Sequence, residues 1–434
     1  MSKAERDIKY EAFVKDDIAN NKGRLLNCCN ELEYLLTHPD ANTIFNEHYL
    51  NELLTYATTF SPFYQNYENY KNLSDFPIVD KQFLKNYWDS IAVPKYQEKD
   101  DNRVKYTSGS TGTPFKMVMD RYKHCRWIAG NKVFRANVGV KSHEKTLYFS
   151  GTVADKEIPI ERQIKDNVYY INRKYIDDNT MREVISMLLE EDYTTFTVMA
   201  SILEKLAHFI ISGNAPKWTG TMYAIFSVSE HLKDSVRDVI SRYFNCPVYM
   251  LYANEENGVL AVEDGTDNGF RANEADFYFE VLKLDSDEPA KEGELGRLVI
   301  TDLFNKAFPI IRYENGDLVC WKRTNEGKLY FTEVAGRKID TLYTLDGKPI
   351  HYFEGISFLE PYMDIRQFQL VQNDYDKFKW ILNTDNHGYE EMIVRESKAI
   401  FGDKISIEFE YVHDIPKLKS GKVRMTVCNI PGKS

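Results

Sequence analysis

No apolar stretch in this 434-residue chain reaches the roughly 18 residues needed to cross a bilayer, which excludes a helical membrane protein. Basic charge is in deficit. The 55 Lys and Arg against 66 Asp and Glu leave a net charge of -11 and a pI near 5.5, which excludes a protein that wraps nucleic acid. Any nucleotide is therefore expected as a small ligand held in a pocket. Cysteine is sparse, with residues 28, 29, 125, 246, 320 and 428 showing neither CxxC spacing nor nearby histidine pairs. The pattern gives no reason to expect zinc, and the cysteines read as reduced, mostly buried thiols. Internal repeats and low-complexity tracts are lacking. Residues 1–20 are charged where a secretory signal would carry an apolar core, so a cytoplasmic location is expected.

What is present is a chain with 43% hydrophobic and 14% aromatic residues, able to bury a large core and too long for one ordinary domain. The first hundred residues read as mainly helical, with an amphipathic run over 42–60 before the turn at Ser61-Pro62. Thr194 to Met199 reads as a strand, and Leu203, Leu206, Phe209 and Ile210 follow at helical spacing. A second strand at 223–226 precedes a helix with Leu232, Val236, Val239, Ile240 and Tyr243 on one face, and 248–251 supplies a third strand. This alternation predicts a parallel sheet, with the loops 227–230 and 252–256 converging at its carboxyl edge. From Arg297 to Asp317 the pattern is strand-rich. After Gly336 it changes to strands at 368–371 and 378–382, a helix over 389–400 and a strand at 405–412. The last group makes a small α+β unit, so the boundary is expected just after Gly336-Arg337.

The strongest local signal is Tyr106-Thr107-Ser108-Gly109-Ser110-Thr111-Gly112-Thr113-Pro114. Glycines let backbone N–H groups approach an anion, and small hydroxyls add donors, so such a loop can surround phosphate. It lacks the Gly-Lys-Ser/Thr ending of a Walker loop, and a solvated turn is the competing reading. Four further segments carry polar groups: Ser227-Val228-Ser229-Glu230, Leu251 to Gly258 with Glu255 and Glu256, Pro309 to Leu318 with Asp317, and the basic run Pro416 to Arg424. Their ordinary readings are a helix N-cap at Ser229, a solvated acidic loop, a hairpin turn at Asn315-Gly316 and a solvated tail.

Taken together and in order, these segments resemble the motifs of the adenylate-forming superfamily of acyl-CoA synthetases. The 108–114 loop is similar to its phosphate loop, so Ser108, Gly109, Ser110, Thr111, Gly112 and Thr113 would cradle the phosphates of ATP. Tyr252-Ala253-Asn254-Glu255-Glu256 resembles its aromatic-Gly-x-x-Glu motif, with Ala253 in place of Gly. That likeness implies Mg2+ on Glu256, with Glu255 as the competing carboxylate and Tyr252 and Asn254 beside the nucleotide. Ser229 and Glu230 would line the adenine pocket, Asp317 would bind the ribose hydroxyls, and Arg337 would contact the nucleotide. Lys338, Ile339 and Asp340 are the candidate hinge pivots, and Lys422 would be the adenylation lysine. Ser61 to Tyr64 and Phe76-Pro77-Ile78-Val79-Asp80-Lys81 further resemble the phenylacetate-CoA ligase branch, which includes proteins of the CapK type.

The resemblance implies an α/β protein of acyl-CoA synthetase type. A large N-terminal domain (1–336) of parallel or mixed β-sheets flanked by helices would bind ATP and acid, and a small mobile α+β C-terminal domain (337–434) would carry Lys422. It implies activation of a small-molecule carboxylic acid by ATP and Mg2+, with CoA or a carrier-protein thiol as acceptor. A homodimer is compatible with the branch. A non-thiol acceptor such as a coenzyme or an amino sugar, and a non-catalytic nucleotide-binding role, are the other readings. Tyr148, Phe149 and Ser150 are candidates for the wall of the acyl pocket.

Overall fold

Apolar residues at 50, 53, 54 and 57 recur at helical spacing, and in the structure all four are buried on one face of the helix Pro39–Phe60. The computed structural model describes residues 3–97, 102–107, 115–150, 158–173, 175–337, 341–350, 355–416 and 424–432. Two more helices, Lys3–Asn21 and Arg24–Thr37, precede that one, so the opening of the chain is helical as its sequence implies. Among the described residues no helix is long and apolar enough to cross a membrane.

Strands β1 (Arg103–Thr107) and β2 (Phe115–Met119) form an antiparallel pair that sets Thr107 opposite Phe115. The main sheet comprises β3 (Thr146–Ser150), β4 (Val168–Asn172), β5 (Thr195–Met199), β6 (Ala224–Val228), β7 (Val248–Asn254), β8 (Gly258–Glu263), β9 (Phe270–Ala272), β10 (Phe277–Leu282), β11 (Gly296–Asp302), β12 (Tyr313–Arg323) and β13 (Leu329–Arg337). Their spatial order is β10-β11-β12-β13-β9-β8-β7-β6-β5-β3-β4. From β7 through β6, β5 and β3 to β4 the neighbours are parallel, and from β7 to β10 they are antiparallel.

Every residue of β5 and β6 is buried, the pattern of parallel strands covered on both faces. Helix Ala200–Ile211 follows β5 without a loop and buries Ile202, Leu203, Leu206 and Phe209. Helix Asp234–Phe244 buries Val236, Ile240 and Phe244, each such side chain contributing about 1.5–3 kcal/mol. Leu232 lies ahead of that helix, whose N-cap is Lys233. Ser229 is no helix cap, and its φ of 74° lies in the left-handed region.

Two charged clusters tie helix Arg121–Asn137 to the strands. Lys123 Nζ lies 2.6 Å from Asp302 Oδ2 with both side chains buried, and Arg126 bonds Asp276 and Glu31. Burial pushes the Asp302 carboxyl up from its ordinary value while Lys123 pulls it down. Charges this deep depend on their partners, and removing one partner of such a pair costs about 3–5 kcal/mol.

Beyond residue 341, β14 (Leu342–Tyr343) pairs with β15 (Pro349–Ile350), and a four-stranded sheet follows. That sheet contains β16 (Gln367–Asp374), β17 (Lys377–Asn383), β18 (Ser406–Tyr411) and β19 (Thr426–Cys428), in the order β18-β17-β16-β19. Helix Glu390–Phe401 packs on it, and Trp380 Nε1 donates to Ser397 Oγ at 3.1 Å. Leu342, Leu359, Phe368, Trp380, Ile393 and Phe401 form a core of their own. Strand β19 was not anticipated, because three residues carry no readable period.

All six cysteines are free thiols, with Cys28, Cys125, Cys246 and Cys428 buried. Burial pushes Cys28 and Cys246 up to about 12.

Candidate nucleotide site

Three residues separate β7 from Gly258, and the turn they form is fixed from both sides. Asn254 Oδ1 accepts from the Asn257 backbone N–H at 2.7 Å. Gly258 has φ +102°, and a Cβ there would meet Trp127 Cδ1 at 2.2 Å. The turn points its two carboxylates oppositely, with the Glu255 side chain 59% exposed and that of Glu256 only 6%. Of the two candidate metal carboxylates, Glu256 is thus the inward one. It meets Lys81 Nζ at 2.9 Å, while Glu255 meets Lys105 Nζ at 3.4 Å. Lys105 also lies 3.6 Å above the Trp127 ring. Among the described residues, buried Asn257 has no hydrogen-bond partner for either side-chain amide atom, and Asn254 Nδ2 and Trp127 Nε1 are likewise unpartnered. An unsatisfied buried group costs about 1–3 kcal/mol, so several beside one turn mark a place for a polar ligand.

Asp317 is set by a bulge, and the hairpin turn expected at Asn315-Gly316 does not form. Strand β12 runs through these residues because it pairs on both sides, with β11 and β13. The extra length is absorbed at Gly316, φ 85°, with a register shift between Asp317 and Val319. Tyr252 Oη donates to Asp317 Oδ2 at 2.5 Å, and Asn315 Nδ2 donates to the same oxygen at 2.8 Å. Asn315 Oδ1 accepts from the Asp317 backbone N–H at 3.0 Å. The carboxyl end of β7 and the β12 bulge are thereby joined. Arg337 of β13 stands opposite Asp317 in register; its side chain lies outside the described residues.

Ser229 and Glu230 leave the carboxyl end of β6, beside β7. Glu230 Oε2 accepts from the Ser201 backbone N–H at 3.0 Å, where it satisfies a free donor in the first turn of helix Ala200–Ile211. This carboxylate has a structural task that its sequence context did not reveal. Phe149 is fully buried in the core beneath the helices and so is not a pocket wall, whereas Tyr148 packs on Tyr170 at 5.2 Å. Ser108, Gly109, Ser110, Thr111, Gly112 and Thr113, the pivot candidates Lys338, Ile339 and Asp340, and Lys422 lie outside the described residues, as does the side chain of Ser150.

Comparison with solved structures bears on the whole arrangement. The chain superposes on 2-hydroxyisobutyryl-CoA ligase in the postadenylation state, in complex with R3-HIB-AMP, with a TM-score of 0.71 over 90% of each chain at 15% identity. This is the acyl-CoA ligase fold. An open conformation of the same ligase, in complex with 2-HIB-AMP and CoA, gives 0.59 at 16% identity over 88% of this chain and 90% of that one. Residues 342–429 match the family described as the CapK C-terminal domain. Protein CapK of Staphylococcus aureus is 26% identical over 382 residues, covering 83% of this chain and 81% of its own.

Within this fold the residues at the β7–β8 turn suit a hard cation. Glu256 and the Asn257 side-chain carbonyl offer oxygen ligands of the kind Mg2+ takes. Among the described residues no three His, Cys, Asp or Glu side chains gather in one metal cluster. Such a sparse donor set fits an ion held by one carboxylate together with substrate phosphates. Sequence reasoning missed Lys81, Lys105, Asn257 and Asn315. Lys81, Asn257 and Asn315 lay inside segments singled out by resemblance but were given no role of their own, and Lys105 lay just ahead of one.

Proposed function

We propose that this protein activates a small carboxylic acid with ATP, forming an acyl-adenylate and releasing pyrophosphate. The observation that carries the reading is the pairing of Tyr252 with Asp317 just ahead of a turn that buries Glu256 beside an unpartnered Asn257. In this reading Asp317, aligned by Tyr252 and Asn315, binds the ribose hydroxyls as a carboxylate that can accept two adjacent bonds. Residues 108–113, which follow β1 in the sequence, hold the phosphates. Glu256 holds Mg2+, which when bound neutralises phosphate charge. The acid's carboxylate attacks the α-phosphorus in line with departing pyrophosphate, and Lys422 bridges the oxygens on which charge accumulates. Catalysis is then mainly positioning and electrostatics.

The chain divides into an ATP- and acid-binding part over 1–336 and a smaller part over 337–434 that brings Lys422 and then withdraws it to admit the acceptor. CoA or a carrier-protein thiol is the acceptor the fold favours. A second reading, a non-thiol acceptor such as an amino sugar or a coenzyme, would use the same adenylation machinery.

Pyrophosphate exchange with a panel of carboxylic acids, followed by AMP release with and without CoA, separates these readings. Acid-dependent exchange is expected, and Lys422→Ala should reduce it to background while retaining ATP binding. If no acid supports exchange, or if Lys422→Ala exchanges normally, the assignment fails. Thiol-independent AMP release would select the second acceptor class.

A further inference from the structure

Lys81 has no part in the roles assigned so far, yet it makes an ion pair with the inward carboxylate of the site. Its position is built. Val79 bridges to β12, donating its N–H to Arg312 O at 3.0 Å and accepting from Glu314 N–H at 2.9 Å. Asp80 then caps the helix Lys81–Asn86 by accepting from Phe83 N–H at 2.7 Å. These contacts anchor Lys81 to the same strand that carries Asp317. From there Lys81 Nζ reaches Glu256 Oε1 at 2.9 Å, with its own side chain 34% exposed. Glu256 is thus buried but neutralised from the open side. Next to it, Asn257 is 1% exposed and leaves its amide oxygen and nitrogen without partners among the described residues.

An ammonium group and a hydrated divalent cation satisfy a buried carboxylate in the same way, by placing positive charge at hydrogen-bond distance. Placed at one carboxylate oxygen the two cations repel each other, so one tends to displace the other. When an anionic polyphosphate and its cation enter, the carboxylate can exchange partners while the lysine turns to the new anion, and no charge is left buried and unpaired. Resting on the nucleotide reading above, we propose that Lys81 is a resident cation of this site, which neutralises Glu256 while the site is empty and binds the polyphosphate of ATP when it is filled. Lys81 then becomes a substrate-binding residue, supplied by a segment remote in sequence from the phosphate loop. The unpartnered Asn257 amide supports it independently, as a buried polar group next to the exchange point.

The test is equilibrium binding without acid, so that no turnover occurs. Lys81→Met should bind MgATP at least tenfold more weakly than the parent protein in calorimetry. It should bind Mn2+ alone more tightly by electron paramagnetic resonance, because Glu256 has lost its internal partner. Lys81→Arg should retain MgATP binding within about threefold, a rescue that loss of packing alone would not give. Circular dichroism and melting curves matching the parent protein establish that both variants are folded. An unchanged MgATP affinity in folded Lys81→Met overturns the inference and leaves the nucleotide reading standing. Failure of the parent protein itself to bind MgATP overturns both.

Discussion

His143 shows how one residue can couple acidity to stability here. It is buried at φ 65°, with the Phe13 ring 4.9 Å away, Tyr10 6.0 Å away and Ser142 Oγ 2.9 Å from Nδ1. Burial, with Lys132 and Lys9 nearby, lowers its pKa to about 3. A histidine whose folded pKa is depressed binds its proton more readily when unfolded. Its stabilising contribution is therefore complete above the unfolded value near 6.5 and is lost as pH falls towards the folded one. At pH 5 this amounts to about 2 kcal/mol. His143→Asn tolerates the left-handed backbone and removes the titration. Urea unfolding at pH 7.5 and pH 5.0 should show the variant losing about 2 kcal/mol less than the parent protein on acidification. Equal losses would remove His143 as the source.

At the scale of elements, β5, β6 and β7 of the parallel half were legible, because β5 and β6 are buried on both faces and each is followed by a helix with a clear apolar stripe, whereas β3 and β4 were not read. In the antiparallel half, β11 and β12 fall in the stretch 297–317 that reads as strand-rich, but β9 and β10 were not legible. Strand β9 has three residues, and β10 places Glu280 among its apolar neighbours, where it pairs with Arg312. Asn315-Gly316 misled for a related reason. The local turn signal is strong, but pairing of β12 with β11 and β13 outweighs it and turns the dipeptide into a bulge. For the site, Asp317 and Glu256 were singled out by the motifs they resemble. Lys81 was given no role of its own, since its contact with Glu256 depends on Val79 joining β12.

The turn after β7 supplies the prediction proper to this scale. Gly258→Ala would put a methyl group 2.2 Å from Trp127 Cδ1 and 2.6 Å from Nε1, at a φ that L side chains rarely adopt. Backbone strain and overpacking together should destabilise by about 2 kcal/mol or more. The indole must move, and with it the turn that orients Glu256. We expect a lower melting temperature, altered tryptophan fluorescence and at least tenfold weaker ATP binding. A variant with the parent protein's melting curve and affinity would show that the turn is not held by this contact.

Across the whole molecule, contacts between the proposed parts centre on Glu360. Its Oε1 lies 2.8 Å from His231 Nε2, and its backbone carbonyl accepts from Ser235 Oγ at 2.6 Å. Lys233, paired with Glu204, lies 4.8 Å over the Phe368 ring. His231 and Ser235 flank the start of helix Asp234–Phe244, a rigid element of the main sheet layer, so these bonds fix the smaller part against a firm surface. If the smaller part turns during the cycle, every one of these contacts must break, and a half-buried pair of this kind is worth about 1 kcal/mol. Glu360→Ala removes the carboxylate and keeps the backbone acceptor. It should therefore shift the equilibrium between arrangements by about fivefold towards the open one, without unfolding either part. Limited proteolysis around 337–341 should be correspondingly faster in the variant, and ATP plus a supporting acid should change its rate in both proteins. Identical cleavage in variant and parent would mean that Glu360 does not hold the two parts together.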